Sequence, residues 1–150
     1  MKDLQRYFLL ELPVKLKNLQ ADAERQFGEM DVIQMLDHLR KGFKWAYSGQ
    51  EAELSIPEEM IPKAQAFRAS DKEIRPGAKM PAPYRTFEDH TDEFEEMKLE
   101  VLREMVGMLA YFDNNPNHKQ VHPGFGELNV LQWMQLGKKH TEHHLRQFGV

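Results

Sequence analysis

Between Asn129 and Val150 the chain reads NVLQWMQLGKKHTEHHLRQFGV, and its apolar residues repeat with the period of a helix. At about 100° per residue, Val130, Trp133, Met134, Leu136, Leu145 and Phe148 share one arc, while Gln132, Gln135, Lys139, Glu142 and Arg146 fill the other side. Such a face has to be buried against other elements, so the segment predicts a helix packed inside a helical domain. His144 lies near the middle of the apolar arc and His140, one turn earlier, is inside it. His143 sits at the edge, where it is expected to face solvent or the rim of a pocket.

A histidine pair at i and i+4 on one buried face can bring two imidazoles to a common point roughly 2 Å from each ring nitrogen, as a transition metal requires. The same pair also suits two core histidines satisfied by hydrogen bonds, or a cluster placed to complement the C-terminal end of the helix dipole. No flanking Glu general base accompanies the pair, so spacing alone leaves these alternatives open.

The rest of the chain repeats the helical pattern. Leu4, Phe8, Leu12, Leu16 and Leu19 mark a first helix, kinked or restarted at Pro13. Asp31 stands where an N-cap belongs, ahead of Val32, Met35, Leu36, Leu39, Phe43, Ala46 and Tyr47, and this second helix ends near Ser48-Gly49. His38 lies on the flank of its apolar arc and could supply a third ligand if this helix packs against the last one. From Gln50 to Arg85 the pattern is lost among prolines; the stretch predicts a long crossover, with at most a short helix around Pro57 to Ala69, acting as a lid or as plain covering. Phe87 to Phe112 predicts a third helix with a stripe of Phe94, Met97, Val101, Leu102, Met105, Met108 and Leu109, and acids, including Asp89, Asp92, Glu93, Glu95 and Glu96, on a solvated face near its start. Asp113 to Leu128, with His118, His122 and HPGFGEL, reads as an irregular loop, and Asn129 caps the last helix.

These elements predict a single domain over residues 1–150: an all-α four-helix bundle with a long crossover between the second and third helices. A net charge of -4, with basic residues scattered among acids, argues against nucleic-acid binding. There is no cysteine, so disulfides, thiolate catalysis and Cys-based zinc sites are excluded, and any metal must be held by His, Asp, Glu or water. No stretch reads as a membrane span or a cleavable leader, and the expectation is a cytoplasmic protein. Phosphate-loop, dinucleotide and serine-hydrolase motifs are missing.

Three separated strings, FGEMDVIQMLDHL, HPGFGELNVLQW and HTEHHLRQFG, resemble in order and spacing the DinB/YfiT-like superfamily, and within it a DinB-like branch classed as a domain of unknown function. That resemblance implies a divalent ion, with zinc, nickel or iron the leading candidates, held by His38, His140 and His144. It also implies coordination positions left for water or a small-molecule substrate. It is similar to thiol-dependent transferases and to proteins described as metal-dependent hydrolases, and it implies a possible homodimer. The alternative is a metal- or ligand-binding helical bundle with no catalytic activity. Around the site, Trp133 suits core packing or the mouth of the pocket, Gln147 could hydrogen-bond an imidazole, and His122 could approach the pocket or belong to a tight turn.

Overall fold

Pro13 shapes the first helical run. Its ring nitrogen cannot donate to the carbonyl one turn back, and the chain absorbs the missing bond by widening, not by breaking. In the computed structural model, which describes residues 1–50, 52–78 and 93–150, α1 (Lys2–Arg6) passes into a π-helical turn (Tyr7–Glu11) and then into α2 (Leu12–Asn18), with Pro13 in its first turn. The widened turn keeps Tyr7, Phe8, Leu12 and Leu16 on one buried face, and Leu19 follows them into the core.

The two helices that carry the site histidines both begin with a reciprocal cap. At the start of α3 (Val32–Trp45), Asp31 Oδ1 accepts from the Gln34 N–H at 2.8 Å while Gln34 Oε1 accepts from the Asp31 N–H at 3.0 Å. At the start of α6 (Val130–Arg146), Asn129 and Gln132 repeat the arrangement at 3.0 and 2.9 Å. Each box satisfies two backbone donors that the helix itself leaves without partners. The register of His38 is therefore set from Asp31 and that of His140 and His144 from Asn129.

Across the crossover, a 3₁₀ turn (Glu58–Met60) leads into α4 (Ile61–Ala69), close to the short helix expected there. α4 lies along α6, with Gln132 Nε2 donating to Gln65 Oε1 at 3.2 Å and Arg68 reaching Gln135. Residues 70–74 continue along the same helix, held by Lys139, which donates to the carbonyls of Ser70 and Lys72. The described part of the crossover is thus a cover over one side of α6. Residue 51 and residues 79–92 lie outside the described residues, and with them the expected first turns of the third helix, including Phe87, Asp89 and Asp92. The described helix there is α5 (Phe94–Asn114), which buries Met97, Val101, Met105, Met108, Leu109 and Phe112 and packs along α3.

The segment read as an irregular loop is in part a hairpin. β1 (Lys119–His122) pairs antiparallel with β2 (Gly126–Asn129) in the register Lys119↔Asn129, Gln120↔Leu128, Val121↔Glu127, His122↔Gly126. An all-α description is corrected accordingly: the protein is mostly helical with a small two-stranded sheet between α5 and α6. The hairpin is secured from outside its own sequence. Gln120 accepts from the Gly49 N–H at 3.2 Å and donates to the Trp45 carbonyl at 2.9 Å, which ties β1 to the C-terminal end of α3. Gln65 of α4 donates to the Phe125 carbonyl at 2.6 Å, and the Ser55 N–H donates to that of Pro123 at 2.8 Å. Gly126 turns the chain at φ +72, in the left-handed region, where a Cβ would also lie 3.1 Å from Ile61. No helix among the described residues is long and apolar enough to cross a membrane.

Candidate metal centre

α3 and α6 pack with their histidine-bearing faces together, and there the imidazole of His38 meets those of His140 and His144, about a hundred residues later in the chain. His38 Nε2 is 2.8 Å from His140 Nε2, which is in turn 3.0 Å from His144 Nε2. The rings of His38 and His144 stand edge to face with centroids 4.6 Å apart. One nitrogen from each of the three lies within 4.8 Å of the other two, a grouping compatible with a metal ion. Gly42, one turn after His38, allows this approach: a Cβ there would already touch His140 Cε1 at 3.5 Å, so any larger side chain would occupy the ring's place.

Burial keeps all three rings neutral. His38 is pushed down to about 4, and His140 and His144 well below the ordinary histidine value, because a charged imidazole would lose its hydration and would also face the other rings. The tautomer of His144 follows from its partner: Gln147 Oε1 accepts from His144 Nδ1 at 2.7 Å, so the proton is on Nδ1 and Nε2 carries a lone pair. Gln147 is itself held in place, its backbone carbonyl accepting from the Gln26 N–H at 2.7 Å and its amide lying over Gly28.

Proton counting then separates a metal centre from a hydrogen-bonded core. With a lone pair on His144 Nε2, a proton on His140 Nε2 can satisfy that contact, but the same proton cannot also point at His38 with good geometry. Without that proton, His140 and His144 set lone pair against lone pair. Either way at least one of two short contacts is poorly served by hydrogen bonding. A single cation at about 2.0–2.1 Å from each nitrogen would accept three lone pairs at once and would hold them about 2.9–3.4 Å apart, so the rings need to open by only a few tenths of an ångström. The donor set fits a divalent transition metal.

Other residues singled out from the sequence take definite places. Gln147 does hydrogen-bond an imidazole. His143 is not at a solvent-facing rim: it is 5% exposed, donates from Nδ1 to the Ile74 carbonyl at 3.2 Å and packs on Phe27 and His144. The segment after α4 covers that side of α6, which no helical wheel of residues 130–146 could reveal. Trp133 is buried, with its ring against that of His122, 5.5 Å between centroids. His122 was expected either to approach the pocket or to belong to a tight turn. It closes β1, where burial pushes it down to about 4, and a proton on it would disfavour a charge on His140. His118, by contrast, is used for packing, bonding the Ala46 carbonyl through Nε2 and lying against Tyr111 and Phe112.

The chain matches the family model described as protein of unknown function (DUF1569) over residues 1–149. No curated protein and no solved structure matches it.

Proposed function

We propose, on the premise that this chain belongs to the DUF1569 family, whose description leaves function unknown, that it is a divalent-metal-binding protein and, more narrowly, a metal-dependent enzyme of the hydrolase or small-molecule-thiol transferase kind. We assign His38, His140 and His144 as the ligands, and read the long helices as a four-helix bundle of the DinB kind, as the resemblance of FGEMDVIQMLDHL and HTEHHLRQFG suggests. The observation that carries the reading is the meeting of three neutral imidazoles through Nε2, with at least one contact that hydrogen bonding serves poorly.

Three neutral ligands leave the charge of a divalent ion uncompensated, and such an ion supplies Lewis acidity toward a water or a thiol near neutral pH. The chain's own residues do the rest. Gln147 holds His144 in the tautomer that presents Nε2, the packing of α3 on α6 keeps the three rings uncharged, and Gly42 lets His140 approach His38. With no cysteine in the sequence, thiol chemistry here would draw on a thiol brought from outside.

Elemental analysis of protein purified without an affinity tag tests the assignment. Wild type is expected to carry close to one equivalent of a divalent transition metal. His38→Ala, His140→Ala and His144→Ala are each expected to lose most of it while retaining helical circular dichroism. Full metal content in all three variants would end the assignment. Turnover of thiol or ester substrates that disappears with chelator and returns with metal would support the enzyme; stable metal binding with no turnover would favour a non-catalytic binding protein.

A further inference from the structure

Two neutral N–H groups pack together on the line of α6 that carries His140, and the indole one is buried with no acceptor among the described residues. Trp133 lies two turns before His140 on nearly the same line of α6, and is 4% exposed. Its Nε1–H is buried without a hydrogen-bond partner. His122 packs on that indole and on Phe125, with ring centroids 5.5 and 5.0 Å away, and lies within electrostatic reach of His140. The Gly124 N–H donates to His122 Nδ1 at 3.0 Å, so Nδ1 holds the lone pair and the proton is on Nε2. Burial keeps the ring neutral at pH 7. Neither group has to gain or lose a proton to act as a donor.

A buried donor left without an acceptor is costly, and such groups in a folded protein point to an acceptor that comes from outside the chain. Two neutral donors next to a cation site are complementary to an oxygen with full or partial negative charge. They suit a carboxylate or an acyl oxygen, whereas a phosphate dianion calls for cationic side chains. The Phe125 ring beside His122 offers an apolar wall for the remainder of such a ligand.

We infer that Trp133 Nε1–H and His122 Nε2–H form a receiving pair for a carboxylate or acyl oxygen of the ligand, next to the ion held by His38, His140 and His144. This inference rests on the metal-site reading, and the pair are positioning residues that bind and orient the ligand.

The test uses the full-length, zinc-loaded, ¹⁵N-labelled protein titrated with acetate. The indole N–H resonance of Trp133, identified by its disappearance in Trp133→Phe, is expected to move downfield and saturate. Acetate affinity, measured by calorimetry, is expected to fall about tenfold in Trp133→Phe and in His122→Leu, the loss of one hydrogen bond to a charged group. His122→Gln, which keeps an N–H near the position of Nε2, is expected to recover most of it. Zinc content stays at the wild-type level throughout. An indole resonance that does not move, or variants that keep zinc and bind acetate like wild type, would overturn the inference. Failure of wild type to take up zinc is read before any acetate is added and would remove the metal site and this inference together. If His122→Leu does not fold, Trp133→Phe decides the matter alone.

Discussion

Lowering the pH of the metal-free protein should destabilise it well before its carboxylates titrate. His38 and His122 are both pushed by burial to about 4, against an ordinary value near 6.5 that each regains when the chain unfolds. Between those values the unfolded state binds protons that the folded state excludes, so stability is complete above pH 6.5 and falls as the pH drops toward 4. At pH 5 each of the two sites has lost about 2 kcal/mol, and between pH 6.5 and pH 5 the pair together lose about 3 kcal/mol. His140 and His144, held lower still by burial and by their neighbours, act in the same direction. For a domain whose total stability is of order 5–15 kcal/mol, this is a large fraction. Urea unfolding followed by circular dichroism at half-unit steps from pH 7 to pH 5, in the presence of a chelator, should give a slope of about two to four protons at the acid end. Adding zinc should raise the curve by a nearly constant amount over this range, since a bound ion stabilises only the folded state and rings already neutral there release no protons on binding it. A slope below one proton would mean that these rings accept protons in the folded state, and the claim that burial keeps them neutral would fall.

Other consequences follow from single contacts. Gln147→Leu removes the acceptor from His144 Nδ1 and should weaken metal binding roughly 10- to 100-fold in competition with a chromophoric chelator. Gly28→Ala should act on the same contact from the other side. It strains a backbone at φ +92 and puts a Cβ 2.3 Å from the Gln147 amide nitrogen, so metal affinity and thermal stability are expected to fall together, with the affinity loss absent in a Gln147→Leu background. Asn129→Ala takes away the cap of α6 and should cost about 1 kcal/mol in urea unfolding without changing metal stoichiometry.

How much of this could be read from the chain depends on how local the cause is. Asp31 and Asn129 were recognisable as caps because a capping box is written within four residues, and the structure forms both. Pro13 announced a disturbance, yet its form as a π turn depended on keeping Tyr7 and Phe8 in the core. The hairpin between α5 and α6 gave little warning, since each strand is four residues long. Side chains that are remote in sequence, Gln120 against α3 and Gln65 from α4, hold it in place. His143 was misplaced because the pattern within α6 says which residues share a face, while the covering of that face comes from residues 70–74, about seventy positions earlier.

By itself the sequence determined the helical periods, their caps, and the sharing of one helical face by His140 and His144, because an i, i+4 relation follows from the pitch of a helix whatever it packs against. Only the tertiary structure decided that His38 closes on that pair, and that Gln147 sets the tautomer of His144. It alone brought His122 against the Trp133 indole. Those arrangements come from the packing of α3 and the hairpin on α6, where burial excludes water and leaves each ring nitrogen only the partners that the fold supplies.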